Sequence, residues 1–110
     1  MYLPKADIYN TLKELGYEVS QEKPTVFNDL PFIGFTILQN VPTFFLNKEI
    51  AFQDIEVQID IWTDTSVEAS QITNEVEDKM RSIGYRLSYN SDVPNNGNIF
   101  HVVTRFTTKK

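Results

Sequence analysis

Residues 54–87, DIEVQIDIWTDTSVEASQITNEVEDKMRSIGYRL, constrain the fold more than any other stretch of this chain. Ile55, Val57, Ile59 and Ile61 alternate with Asp54, Glu56, Gln58, Asp60 and Trp62. Successive side chains of a strand point to opposite faces, so this period of two predicts a half-buried antiparallel strand over residues 51–63. Only Trp62 interrupts its polar face. A helix follows at once. Thr65 and Glu68 have the spacing of a capping box, with Asp64 a competing cap one residue earlier. Ala69, Ile72, Val76, Met80 and Ile83 recur on one helical face, and Glu75, Glu77, Asp78, Lys79 and Arg81 cover the other. Gly84 stops the helix and Tyr85 starts the next strand.

The flanking segments supply partners for this unit. Pro4 suits the first turn of a helix over residues 4–15, with Ile8, Leu12 and Leu15 as its apolar stripe and Gly16 as its stop. A short strand follows at Tyr17, Val19 and Ser20, and an irregular segment with Pro24. Pro31 opens a strand through Leu38, with Gly34 marking a bulge or a close backbone approach. Asn40–Val41–Pro42 breaks that run, Thr43 to Leu46 resumes it, and Asn47–Lys48–Glu49 turns the chain. A hairpin ends it: Tyr85, Leu87 and Tyr89 on one arm, Phe100, Val102, Thr104 and Phe106 on the other, with Asn96–Gly97 as a turn signal between. The sum is one domain over residues 1–110. It is an α+β fold with a mixed, mainly antiparallel sheet packed with two helices, in the order α-β-β-β-β-α-β-β. LKELGYEV at 12–19 and MRSIGYRL at 80–87 echo one another. The capping requirement at each helix end accounts for that without a duplication.

Composition narrows the function. With no cysteine there is no disulfide framework and no thiolate metal site. No apolar run approaches a membrane span, and residues 1–10 lack the layout of a signal peptide. The formal net charge of −5 argues against the phosphate backbone of nucleic acid as main partner. Lys109 and Lys110, the one basic cluster, read as a solvated, frayed end. A single histidine, His101, cannot build a two-histidine zinc site, and the four glycines do not cluster into a phosphate loop. Glu56 and Asp60 share a strand face and form a carboxylate pair in principle, but nothing nearby supplies a nucleophile. His101 and Arg105 share a face of the last strand. Placed beside the long strand, they stand opposite Glu56, Gln58 and Asp60 as sheet-surface partners.

Eight phenylalanines are many for this length. One of Phe44 and Phe45, together with Phe52 and Trp62, forms a candidate interface for self-assembly or a partner, unless a second layer covers that face.

The helix ending in Gly16–Tyr17, the strand opening Pro31–Phe32–Ile33, the acidic-aliphatic strand ending Ile61–Trp62, the Glu-rich helix and the closing hairpin with aromatic and basic residues in its last strand occur together. In that combination the chain resembles the tail-completion and tail-terminator proteins of long-tailed bacteriophages and prophages. The resemblance implies a mixed α/β domain whose copies assemble into a ring, typically a hexamer. The ring would cap the tail tube, end its polymerisation and join the head. It implies a virion protein made in the host cytoplasm, with the tail tube and head-completion proteins as partners. It implies neither a catalytic residue nor a cofactor, and no sequence-specific nucleic-acid binding. Glu56 and Asp60, with His101 and Arg105, become candidate charges of a channel wall or sheet surface, since a carboxylate-lined channel repels phosphate. The connection at 42–49 and the turn at 91–98 are candidate contacts to the ring or tube. Edge-strand logic adds residues 32–46 or the last strand as contacts between subunits. The alternatives are a small ferredoxin-like ligand-binding module, a hydrolytic enzyme built on the acids and His101, and a protein adaptor that forms no ring.

Overall fold

A computed structural model describes residues 2–21, 30–46, 49–94 and 99–110, without side-chain detail over 43–51. Its elements are α1 (Pro4–Lys13), β1 (Glu18–Gln21), β2 (Phe32–Leu46), β3 (Glu49–Thr63), α2 (Ser66–Ser82), β4 (Arg86–Val93) and β5 (Phe100–Lys109). The strands form one five-stranded sheet in the order β1-β2-β3-β5-β4. β1 runs parallel to β2, and every other pair is antiparallel. The molecule is the α+β fold that the sequence implies.

The helices start and stop where local chemistry dictates. Pro4 occupies the first turn of α1 and Leu3 caps it without a side-chain bond. Gly16 and Gly84 adopt φ of 87° and 91°, the left-handed turn that lets the chain leave each helix for a strand. At α2 the Thr65 hydroxyl accepts from the Glu68 N–H at 3.2 Å. The box is half-formed, because Glu68 Oε1 is buried without a hydrogen bond among the described residues.

Both helices cover the same face of the sheet. Ile55, Val57, Ile59 and Ile61 pack in one cluster with Ile8 and Leu12 of α1, Ile72, Val76 and Met80 of α2, Ile33 and Phe35 of β2 and Phe106 of β5. All of these are at most 2% exposed. Removing such a side chain from water is worth about 1.5–3 kcal/mol, and this cluster is the main source of stability. The polar groups enclosed with it are paired: the Thr104 hydroxyl donates to the Ile59 carbonyl and the Thr73 hydroxyl to the Ala69 carbonyl.

The segments on either side of Pro42 are two halves of one strand, not two strands. β2 continues through Pro42, with shifts of register at Leu38 and on both sides of Phe44. The reason lies in Gln53, which stands opposite Pro42. Gln53 exchanges both backbone hydrogen bonds with Lys110. Its N–H and C=O thus point away from β2, and Pro42 has no ladder bond to lose on that side.

β2 and β3 outrun the rest of the sheet. β1 accompanies β2 only as far as Phe35, and β5 accompanies β3 only from Asp54 onward. Beyond the Pro42–Gln53 pair the hairpin continues on two strands. A fifteen-residue strand is about 50 Å long, which accounts for the 54 Å long axis of a molecule otherwise 25 by 22 Å.

Candidate assembly surface

The face of the sheet opposite the helices carries the residues singled out by sequence. The register places Trp62 opposite both Phe32 and His101, Gln58 opposite Arg105, and Asp60 opposite Val103. A continuous row results. His101 Nε2 lies 3.0 Å from Asp60 Oδ2, and the Gln58 amide donates to Asp60 Oδ1 at 2.9 Å. Arg105 Nε donates to Gln58 Oε1 at 3.2 Å, and its guanidinium lies 5.2 Å from the centre of the Tyr89 ring. The His101 ring stacks on Trp62 with centroids 4.6 Å apart. Asp60, His101 and Arg105 are therefore brought together, as the cross-strand reading expects. Glu56 lies on the same face, half-buried, and forms no ion pair among the described residues.

The candidate apolar patch does not form as expected. Trp62 is 2% exposed, enclosed in part by Phe32, whose ring is tilted against it at 5.8 Å, and by His101. It is a buried residue of this face, not an exposed contact. Phe52 lies ten positions away along β3, about 33 Å in an extended strand, so the two share no patch. Phe52 is 46% exposed at the root of the arm, near Val41, which is 45% exposed. Phe44 stands opposite Phe52 in register, and Phe45 opposite Ile50. The side chains of Phe44 and Phe45 lie outside the described residues, as do residues 95–98 of the candidate 91–98 turn, whose first three residues instead continue β4.

This face is not an acidic wall. Glu18, Asp54, Glu56 and Asp60 share it with Arg86, Arg105 and Lys109, and Lys109 Nζ is 3.7 Å from Asp54 Oδ1. Acidic residues also outnumber basic ones on α2, where Glu68, Glu75, Glu77 and Asp78 face only Lys79 and Arg81.

Sequence reasoning missed a polar strap at the root of the arm. Gln53 has the strand parity of the buried Ile55 and is 3% exposed. Its side-chain oxygen accepts from the Tyr2 N–H at 2.9 Å, and its amide donates to the Tyr2 carbonyl and to Asn40 Oδ1. The Tyr2 hydroxyl donates to Asp7 Oδ2 at 2.7 Å and lies 3.3 Å from the Tyr85 hydroxyl. Burial, then hydrogen bonding to Tyr85 and Asp7, pushes the Tyr2 phenol well above its ordinary range. Burial likewise raises Tyr85. Lys110 is docked here, its ammonium donating to the Ile83 carbonyl at 2.7 Å and lying 5.3 Å from the centre of the Tyr2 ring. Lys109 belongs to β5. The frayed basic end expected from sequence is thus a paired strand end. The readable signal was a lone glutamine on an aliphatic strand face.

A cavity of about 360 Å³ opens between the start of α2 and the end of β4, lined by Ser66, Ser70, Asp92, Val93, Phe100 and His101, among others. Among the described residues that line it, Asp92 and His101 are the ionisable side chains. Among the described residues no group of three or more His, Asp or Glu side chains is placed to hold a metal ion, and no helix is long and apolar enough to cross a membrane.

No protein-family model matches the chain, and no curated protein matches its sequence.

Proposed function

We propose that this protein is a tail-completion or tail-terminator subunit of a long-tailed bacteriophage or prophage, working by contact rather than catalysis. Copies form a ring, a hexamer on the family pattern, that caps the tail tube, ends its polymerisation and meets the head-completion proteins. The observation that carries the reading is the β2–β3 arm on a one-sided sheet. A two-stranded hairpin is marginally stable in water, and this one projects exposed apolar residues, Val41 and Phe52, from its root. An element of that kind gains its stability from another molecule. The family resemblance implies a mixed sheet covered by helices, and the fold is compatible with that. On this reading the more acidic helix α2, rather than the sheet face of mixed charge, is the candidate for a phosphate-repelling channel wall.

The test combines imaging with tube assembly. Electron microscopy of the concentrated protein, and of purified tail tubes mixed with it, should show rings or capped tube ends. Adding the protein to polymerising tube subunits should shorten the tubes. Tubes of unchanged length with bare ends would overturn the proposal.

A further inference from the structure

We propose that the outer edge of β2 beyond β1 receives strand β4 of a second copy, so that neighbouring subunits share one continuous sheet. The inference deepens the ring reading above and rests on it for its biological setting, but its geometry stands on the sheet alone.

Four observations point to a second copy and to β4. First, among the described residues the sheet has an open edge on each side. β4 ends it on one side. On the other, no described strand pairs with β2 past Phe35, which leaves eleven of its fifteen residues with a single neighbour. Two different edges on opposite sides of one subunit make a heterologous contact, the type that closes into rings.

Second, the polarity fits. The strands alternate in direction from β2 through β3 and β5 to β4. A neighbour in the same orientation therefore presents β4 antiparallel to β2 and keeps its helices on the same face.

Third, the lengths and donors fit. The eight residues of β4 fit within the eleven. Gln53 and Lys110 fix the parity of the ladder. By alternation the backbones of Ile37 and Asn40 point to the free edge of β2, and those of Leu87, Asn90 and Asp92 to the free edge of β4. Pro42 withholds a donor at only one position.

Fourth, β2 has no charged guard against such pairing, its only interruptions being Pro42 and the shifts of register. Edge strands are usually blunted by charge, and none of its fifteen residues is charged. Leu38 and Val41 are 43% and 45% exposed along it. Because β1 fills the first four positions, each copy is stepped along the strands relative to the last. The strands of a closed ring would then be tilted, as in a barrel.

Two variants test the contact. The first, Leu38→Lys with Val41→Lys, places charge on the β2 edge. The second, Asn90→Pro, removes an outward donor from β4 while leaving its ladder to β5 intact. Thermal melts and circular dichroism establish that both remain folded. If either does not, Leu38→Glu with Val41→Glu, or Asp92→Pro, replaces it. Sedimentation velocity at high concentration then compares each variant alone with an equimolar mixture. Each variant alone should be monomeric where the natural protein self-associates. The mixture should form a dimer and nothing larger, because one intact β2 edge meets one intact β4 edge. Folded variants that assemble as the natural protein does would overturn this contact and leave the ring reading standing. A mixture that stays monomeric, or a β4 variant that dimerises alone through paired β2 edges, would overturn the pairing of β2 with β4. A natural protein that caps tubes yet is monomeric at every concentration would also count against this contact, without touching the function proposed.

Discussion

β2 and β3 lead two different lives in one molecule. In the body, β3 is flanked on both sides, backed by two helices and closed by buried isoleucines. In the arm the same two strands have only each other, no described third strand, and half-exposed apolar residues at the root. The body is stabilised by burial, whereas the described contacts of the arm beyond its root are those of its own ladder. The contrast separates a part that folds from a part available for contact, and the two should respond differently to mutation.

The largest expected effect lies in the body. Ile59→Ala, at a site with no exposure, should lower stability by about 2–5 kcal/mol, read by urea unfolding. Phe52→Ala, half-exposed at the root of the arm, should cost about 0.5 kcal/mol or less. Equal losses would show that body and arm are one cooperative unit and would break the contrast.

Gln53 marks the boundary, and its replacement sharpens the comparison. Gln53→Leu keeps the volume but leaves the Tyr2 backbone and the Asn40 amide without their partner. The expected loss is about 1–3 kcal/mol. Hydrogen exchange should speed up at Tyr2 and in the arm before it does in β5. Uniform acceleration throughout would show that the strap does not divide the two regions.

High pH probes the same strap more gently. The folded state holds Tyr2 and Tyr85 protonated above the ordinary tyrosine range. Above about pH 10 the unfolded chain loses these protons first. The stability they contribute is thus fully present below pH 10 and declines as pH rises. Tyr2→Phe should flatten that decline in melts from pH 9 to 11. An unchanged slope would assign the alkaline loss to other groups.

Legibility in the sequence followed the same division. The alternation at 54–61, the stripe of α2 and the Gly16 and Gly84 stops were readable because each rests on a local period or a local backbone demand. The continuity of β2 was not, because Pro42 breaks a strand only if its missing N–H was needed. That depends on which side Gln53 turns its own backbone, a fact of pairing. The burial of Trp62 was hidden for the same reason: on a polar face, only the register brings Phe32 and His101 against it. Lys110 shows that an end can be held by a partner fifty-seven residues earlier in the chain.

The smallest effect is the most specific. Sequence placed Arg105 near Asp60, and the register puts Gln58 between them: Arg105 donates to the Gln58 oxygen while the Gln58 amide donates to Asp60. Coupling between the two charges should therefore be relayed by an amide held in one orientation. A double-mutant cycle of Asp60→Asn and Arg105→Gln should give about 0.2–1 kcal/mol. Repeated in a Gln58→Leu background, the same cycle should fall to near zero, because the relay is gone while both charges remain in place. Coupling that persists without Gln58 would mean that the charges interact directly through space, with the row across the body acting as separate pairs.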